Sequence, residues 1–274
     1  MLAFATAFFL YFFALYMRKI SVRPRVVLEE VALPPARAGL AAGAMSMMLL
    51  AAALLPFGIT ASEVWWLGVV LQVGASGLGA FAIWREPQEL REFTPFQYLT
   101  FVGPVVGPIA GIPLGHIWES YVLTLAALVP YLVITAGFAI QSLRRGIPLP
   151  LRPAVAIFLA PNCLFATSFG LLGVDWAFQI FYGLAGGIAL ALIGIGPWMS
   201  QGGWSPLWAG FAFPSTAFLL VQVLAVKLGV GNAALIGTYT AMSFATPLVF
   251  FITYRFIMTW VTGELAEGSG AARA

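Results

Sequence analysis

Nine hydrophobic runs follow one another through the chain, separated only by short connections rich in Pro, Gly and charged residues. Most of the runs have the length of a membrane-spanning helix, which needs about 20 apolar residues to cross the hydrocarbon core of a bilayer. Because the connections are short, successive helices are expected to form antiparallel hairpins. The predicted helices are Leu2–Met17, Ala38–Leu55, Val64–Trp84, Phe96–Leu114, Ile117–Leu143, Pro153–Leu172, Trp176–Met199, Leu207–Leu228 and Ala233–Val261.

The balance of apolar and charged residues decides which solvent these helices face. Hydrophobic residues make up 61% of the 274 residues and charged residues only 8%, whereas a soluble domain has about 25% charged residues. The sequence therefore predicts an all-α polytopic membrane protein with one transmembrane domain over residues 1–263. The remaining residues, 264–274, are small and polar and are predicted to form a short disordered cytoplasmic tail.

Basic residues occur on every second connection, and this bias predicts the orientation. Lys and Arg accumulate on the cytoplasmic side of membrane proteins, so these connections and the C-terminus are expected to face the cytoplasm, with the chain in a bacterial inner membrane. Nine helices would then put the N-terminus outside, and a tenth helix upstream would complete five hairpins, so we expect the chain to start late. The basic residues on this side are Arg18, Lys19, Arg23, Arg25, Arg37, Arg85, Arg91, Arg144, Arg145, Arg152, Arg255 and Arg273, and Lys227 is the one on the other side.

Helix-breaking residues recur in alternate predicted helices, the fourth, sixth and eighth. A proline lacks the backbone N–H and disturbs the preceding turn, and in lipid such a break is tolerated only against protein or a water-filled cavity. We therefore predict that the alternate helices are kinked and surround a central pore, although the kinks could instead serve only to fit helices together. The prolines that would kink them are Pro104, Pro108, Pro161 and Pro214.

The residues around these breaks are the candidates for the pore. Phe213, immediately before Pro214, is the predicted gate, because a bulky apolar ring beside two small hydroxyls could plug a path. The candidates for the pore wall are Asn162, Ser215 and Thr216, and Thr100 and Ser168 are further polar residues near the breaks.

The scarcity of charge inside the predicted helices favours an anion path without coupling. Glu63, Glu119, Asp175 and Lys227 all fall at predicted helix ends, whereas proton- or cation-coupled carriers keep acidic or histidine side chains within the membrane. A neutral path lined by hydroxyls, amides and helix dipoles suits a weakly selective anion. An uncharged solute path would have a similar sequence.

The sequence does not favour an enzyme. The chain has one histidine, His116, and one cysteine, Cys163, so it lacks the residues for a CxxC or His-rich metal site. No GxSxG elbow surrounds Ser168 or Ser215, and there is no HExxH, Walker or GxGxxG motif. We expect no cofactor, no metal and no nucleic-acid partner.

Three segments together resemble one known family in their order, spacing and helix context. VVLEEVALPPARAGL is similar to a cytoplasmic connector in which an acidic residue precedes a His-Pro pair, although Leu33-Pro34 stands there in this chain. LRRGIPLPLRPAVAIFLAPNCLFA is similar to an Arg-containing loop followed by a helix break, and WAGFAFPSTAF to a Trp-x-x-x-Phe-Pro signature. The chain thus resembles the tellurite-resistance/C4-dicarboxylate transporter family of TehA-like proteins and plant slow anion channels.

The resemblance implies a specific architecture and function. Its members have ten helices in five hairpins, with kinked odd-numbered helices around a pore that a phenylalanine of the ninth helix occludes. That residue aligns with Phe213, and the family's first pore-lining helix has no counterpart here. The resemblance implies a homotrimer in the bilayer with one pore per subunit, which conducts a small inorganic or organic anion.

The expected function is a passive anion channel or channel-like transporter. The alternative is a secondary transporter that exports a dicarboxylate, sulfite or tellurite-type oxyanion. A third hypothesis is a membrane scaffold that transports nothing.

Overall fold

A computed structural model describes residues 2–265, and these residues are entirely helical or irregular, without a strand. The prediction of an all-α chain is confirmed. The α-helices are α1 Leu2–Val22, α2 Val26–Ala32, α3 Pro34–Leu54, α4 Ser62–Arg85, α5 Pro108–Gly111, α6 Ile117–Arg145, α7 Leu159–Leu171, α8 Asp175–Met199, α9 Ala209–Lys227 and α10 Asn232–Val261. Most of the predicted tail, residues 264–274, lies outside the described residues, and the single domain over 1–263 stays a prediction.

Eight of the described helices are long and apolar enough to cross a membrane. Seven of them follow the predicted runs closely, and α1 extends beyond the predicted end at Met17 to Val22. The remaining predicted run, Phe96–Leu114, folds into a shorter apolar segment, Tyr98–Gly111. The protein is therefore a multi-pass helical membrane protein.

The connector after α1 holds a short helix that the hydrophobic pattern does not predict. Glu30 of α2 is nearly buried and accepts a hydrogen bond of 2.6 Å from the hydroxyl of Tyr16. It also pairs with Lys19, with 2.5 Å between Nζ and Oε1. The carboxylate of Glu30 thus links α2 to the end of α1, because each of its two oxygens binds a side chain of α1.

The described chain divides into two compact units, one ending at Val133 and the other beginning at Ile134, so the boundary falls within α6. In the first unit α3 packs closely on α4 at Gly68. A Cβ at Gly68 would lie 2.7 Å from Cγ and 2.8 Å from the backbone nitrogen of Met48. The small residue is required because the two backbones approach each other so closely.

The second unit is built around α7, whose residues are buried from Leu159 to Gly170. This helix packs against both α8 and α9. The hydroxyl of Tyr182 on α8 donates a 2.7 Å hydrogen bond to Oε1 of the buried Gln222 on α9. A Cβ at Gly237 of α10 would lie 2.6 Å from the same oxygen.

Burial alternates between successive spans. The buried share is 39% for Pro34–Phe57, 78% for Leu149–Leu171 and 33% for Pro206–Lys227. It is 22% or less for the other five spans. The short segment Tyr98–Gly111, between two weakly buried spans, is also largely buried. The spans in which helix breakers were predicted are thus among the more buried ones.

Candidate functional site

The segment Tyr98–Gly111 carries the densest set of predicted breakers, and its backbone is irregular throughout. It begins as a π-helical turn at Tyr98–Val102, continues as a 3-10 helix at Gly103–Val106 and becomes α-helical only at Pro108–Gly111. Pro104 and Pro108 each stand at the start of a new helical piece, where the missing N–H matters least. The predicted disruption by these two prolines therefore takes the form of changes in helix type.

Side chains of α4 supply partners for the freed backbone groups of this segment. Nε2 of the buried Gln72 donates to the carbonyl oxygens of Leu99, at 3.1 Å, and Thr100, at 3.0 Å. Oγ of Ser76 donates to the same Thr100 oxygen at 2.6 Å. About two turns before Gln72 on α4, Nε1 of Trp65 donates to the carbonyl of Gly107 at 2.8 Å. These bonds meet the requirement that backbone groups within a membrane be satisfied by protein.

At each glycine of the segment, an atom of a neighbouring helix lies too close to leave room for a side chain. A Cβ at Gly103 would lie 2.4 Å from Nε2 of Gln72. A Cβ at Gly107 would lie 2.7 Å from Cδ1 of Leu123, and one at Gly111 would lie 2.5 Å from Oγ of Ser120. The segment is thus wedged between α4 and α6.

The buried polar atoms without a partner among the described residues include Oγ1 of Thr100 and Oε1 of Gln72. Thr100 is wholly buried and Gln72 is 1% exposed. Buried polar atoms in folded proteins are nearly always paired, so each such atom calls for an explanation.

A buried arginine near Thr100 was not expected from the sequence. The sequence pattern placed Arg37 on a basic connection, but in the structure Pro34 begins α3 and Arg37 lies within the helix, 4% exposed. Its Nη1 makes a 3.5 Å contact with the carbonyl oxygen of Gly79. The four acidic and basic residues that were predicted to lie at helix ends do lie in first or last turns.

In the second unit, an irregular stretch precedes Pro161. A 3-10 helix runs over Leu149–Phe158, and Pro161 lies in the first turn of α7, which is regular from Leu159 onward. Nδ2 of Asn162 donates to the carbonyl of Phe158 at 2.9 Å, across the junction of the two helix types. Asn162 is 1% exposed, and this bond connects its amide to the backbone at the change in helix type.

The helix α9 continues through Pro214 without a change in helix type. The hydroxyl of Ser215 donates to the carbonyl of Ala212 at 2.9 Å, and that of Thr216 to the carbonyl of Phe213 at 2.9 Å. A hydroxyl has one proton to donate. In this conformation both wall candidates therefore use their donors on the helix backbone and present only lone pairs to their surroundings.

Phe213 is half-buried, and its ring makes no aromatic contact with any described residue. By contrast, Phe211 on the same helix packs edge-on against Trp208, with 5.4 Å between ring centroids. The first turn of α9 lies against the 3-10 helix, since a Cβ at Gly210 would lie 3.2 Å from the carbonyl oxygen of Pro153. Phe213 is therefore positioned on a fixed helix but has no ring partner to hold its rotamer.

The second unit also contains a cavity of about 520 Å³ at the ends of α8 and α9. Its lining residues are Asp175, Phe178, Gln179, Tyr182, Gly183, Leu228, Gly229 and Val230. None of them belongs to the predicted gate, kinks or wall.

The histidine of the chain serves a packing role in this conformation. The His116 ring stacks on Trp65, with centroids 4.7 Å apart and an interplanar angle of 3°, and Nε2 lies 3.3 Å from Oγ of Ser62. Among the described residues, no cluster of three His, Cys, Asp or Glu side chains could hold a metal ion.

A comparison with known families identifies the chain. The family model described as voltage-dependent anion channel (SLAC1) matches residues 1–261. The chain belongs to this family. This match confirms the resemblance inferred from the three sequence segments. A search of curated proteins finds no significant match.

Membership of the voltage-dependent anion channel family defines the broad function. Its members are channels and transporters, so the chain is an anion channel or transporter that acts in a lipid bilayer. The irregular stretch Leu149–Phe158 lies within a candidate membrane span, where irregular backbone is tolerated only against protein or along a water-filled cavity.

Proposed function

We propose that the chain is a passive anion channel or channel-like transporter whose central pore is lined by the more buried spans. The alternation of burial along the chain carries this proposal. Alternate spans are the more buried ones, and the spans between them are regular and mostly exposed, as expected if each hairpin contributes one inner and one outer helix. Irregular backbone occurs at Tyr98–Gly111 and Leu149–Phe158, both of them on the more buried side of this alternation. A path along the inner helices would meet irregular backbone and helix ends, whose dipoles attract a permeating ion.

The distribution of charge supports downhill permeation. Acidic side chains of the spans are confined to first turns, at Glu63, Glu119 and Asp175. A coupled carrier needs an ionisable group within the membrane to bind or relay the coupling ion. Arg37 is the buried charged side chain of the described spans, and its fixed positive charge suits an anion.

We propose Phe213 as the gate of this pore, with Pro104, Pro108, Pro161 and Pro214 shaping the helices around it. The absence of a ring partner among the described residues supports this role, because the side chain can rotate without breaking an aromatic contact. Asn162, Ser215 and Thr216 are proposed as wall residues. Since both hydroxyls donate to the backbone, they would offer a passing anion a donor only after rotating.

The orientation and assembly belong to the same proposal. Arginines near several helix ends contact aromatic rings, as Arg85 does with Phe81 and Arg152 with Trp198. From the positive-inside rule we propose that these ends and the C-terminus face the cytoplasm of a bacterial inner membrane. By analogy with TehA-like proteins we propose a homotrimer.

Replacing Phe213 by alanine is expected to raise anion conductance about tenfold or more, because removing a plug that contributes about 1.4 kcal/mol to the barrier changes the rate by that factor. The measurement is the chloride or nitrate current of purified protein in a voltage-clamped bilayer. The matched control is Phe211→Ala on the same helix, which removes a ring that packs on Trp208 and should leave the conductance near that of the parent.

Equal currents in the two variants would refute the gate. A flux that saturates and depends on a proton gradient would refute the passive channel and favour the secondary transporter of a dicarboxylate, sulfite or tellurite-type oxyanion. The absence of flux in every variant would favour the scaffold.

A further inference from the structure

Arg37 is a buried cation without a protein counter-ion in the described part of the chain. It is 4% exposed, and the ion pairs described, Lys19–Glu30 and Arg23–Glu29, do not include it. Glu86 at the end of α4 is the acidic side chain whose charge acts on Arg37, but it lies beyond ion-pair distance. A guanidinium has five N–H donors, and here one of them makes a single long contact with the carbonyl of Gly79.

A buried charge is costly unless it is paired. Removing an ion from water without a partner costs several kcal/mol in real proteins, and buried charges are therefore paired or bind an ion. Since no described carboxylate lies within ion-pair distance of Arg37, a direct counter-charge is one that a small anion can provide.

Thr100 provides a second, independent donor beside the same glycine, Gly79. Its Oγ1 is wholly buried and has no partner among the described residues. The side chains of Arg37 and Thr100 both approach Gly79, since a Cβ built there would lie 3.1 Å from Cδ of Arg37 and 2.8 Å from Cγ2 of Thr100. The backbone of Thr100 is fixed by the bonds that Gln72 and Ser76 donate to its carbonyl.

We propose that Arg37 and Thr100, beside Gly79, form a binding site for a small monovalent anion such as chloride or nitrate. The proposal rests on the proposed function, because the bound ion is of the class that the channel transports. Guanidinium N–H groups and a hydroxyl are both donors, and charge-assisted bonds from a guanidinium are among the strong ones. The guanidinium is also weakly hydrated, so it exchanges water for an anion more readily than an ammonium does.

The site is tested by the dependence of thermal stability on anions. Purified protein in detergent is titrated with sodium chloride or sodium nitrate against sodium gluconate at constant ionic strength, and Tm is measured. An anion that binds the folded state raises Tm by mass action, so the parent should show a saturable rise. Arg37→Gln is expected to weaken anion binding at least tenfold, and Thr100→Val, which removes the hydroxyl at nearly constant shape, about threefold to tenfold.

The control is Arg85→Gln, which removes an exposed arginine that lies over the Phe81 ring and should leave the anion dependence of Tm unchanged. If Arg37→Gln does not fold, Thr100→Val decides the matter, because valine retains nearly the same buried shape without the hydroxyl. An absence of any saturable rise in the parent would overturn the site, as would parental anion affinity in Thr100→Val or in a folded Arg37→Gln protein.

The Tm experiment measures anion binding and not ion flux. The proposed site and the proposed channel can therefore be refuted independently. Normal anion binding in the Arg37 and Thr100 variants, together with a conducting Phe213→Ala protein, would refute only the site. Loss of binding in these variants, together with the absence of current in both the parent and Phe213→Ala, would support the site and refute the passive channel.

Discussion

Replacing Trp65 by alanine should lower the free energy of unfolding by about 3–5 kcal/mol, the range for truncating a fully buried aromatic side chain. Trp65 is completely buried on α4, and its Nε1 donates to the carbonyl of Gly107 in the irregular segment. Its ring also fills the space beside Gly111, where a Cβ would lie 2.7 Å from Cζ2. Lipid tails are as apolar as the protein core, so in a membrane the free energy lost is that of the van der Waals contacts of the Trp65 ring.

The measurement is SDS-induced or thermal unfolding of the purified protein in detergent. Trp66→Ala is the matched control, because Trp66 is the next residue but is 41% exposed, and its loss should cost about 1 kcal/mol or less. Trp65→Phe should also cost about 1 kcal/mol, since the Gly107 carbonyl still accepts the Gly111 N–H at 2.8 Å. Equal losses in the two alanine variants would show that Trp65 does not anchor the segment.

The positions of the long helices could be predicted because the bilayer fixes their length. Each span must supply about 20 apolar residues, so the ends of α4, α6 and α10 follow from where the apolar runs stop. The irregularity of Tyr98–Gly111 was also visible, because proline and glycine act through their own local geometry.

The location of Arg37 could not be predicted from the local pattern. A basic residue after two prolines is typical of a connection, yet proline is also favoured at the first positions of a helix, and α3 begins at Pro34. Whether Arg37 lies on a connection or in a helix depends on which residues pack over the start of α3. Gly79 and Thr100 pack there, and both are far from Arg37 in the sequence.

The anchors of the irregular segment were missed for a similar reason. Gln72 interrupts an apolar run, and so does Gln222 in α9, and both are buried against a glycine of a neighbouring helix. A buried amide in lipid needs partners, so a lone glutamine in an apolar run is the signal that could have identified both. The sequence pattern does not predict which backbone carbonyls the amide binds, because those carbonyls lie far from the glutamine along the chain.

The wall candidates show a further limit of sequence reasoning. A serine or threonine in a helix either points its hydroxyl outward or bonds the carbonyl three or four residues earlier. Ser215 and Thr216 both do the latter. The residue types therefore identified hydroxyls near Pro214, but not whether their protons are available to an anion.

The second large effect is expected from Gly103→Ala, which should lower the free energy of unfolding by about 3 kcal/mol. The added Cβ would lie 2.4 Å from Nε2 and 2.8 Å from Cδ of Gln72. Overpacking of this kind costs about 1–3 kcal/mol. Moving the amide aside also breaks its bonds to the Leu99 and Thr100 carbonyls, each of which contributes about 1 kcal/mol.

A double-mutant cycle separates this clash from a general intolerance of the segment. In a Gln72→Ala background the amide is gone, so adding the Gly103 methyl group should cost about 1–2 kcal/mol less than in the parent. The control is Gly77→Ala on α4, where a Cβ meets nothing within 4 Å, and where alanine should be neutral or slightly stabilising in a helix. If the cost of Gly103→Ala is the same in both backgrounds, Gln72 is not what requires glycine at position 103. If the cost falls as expected, the amide that holds the irregular backbone together is also the group that excludes a side chain there.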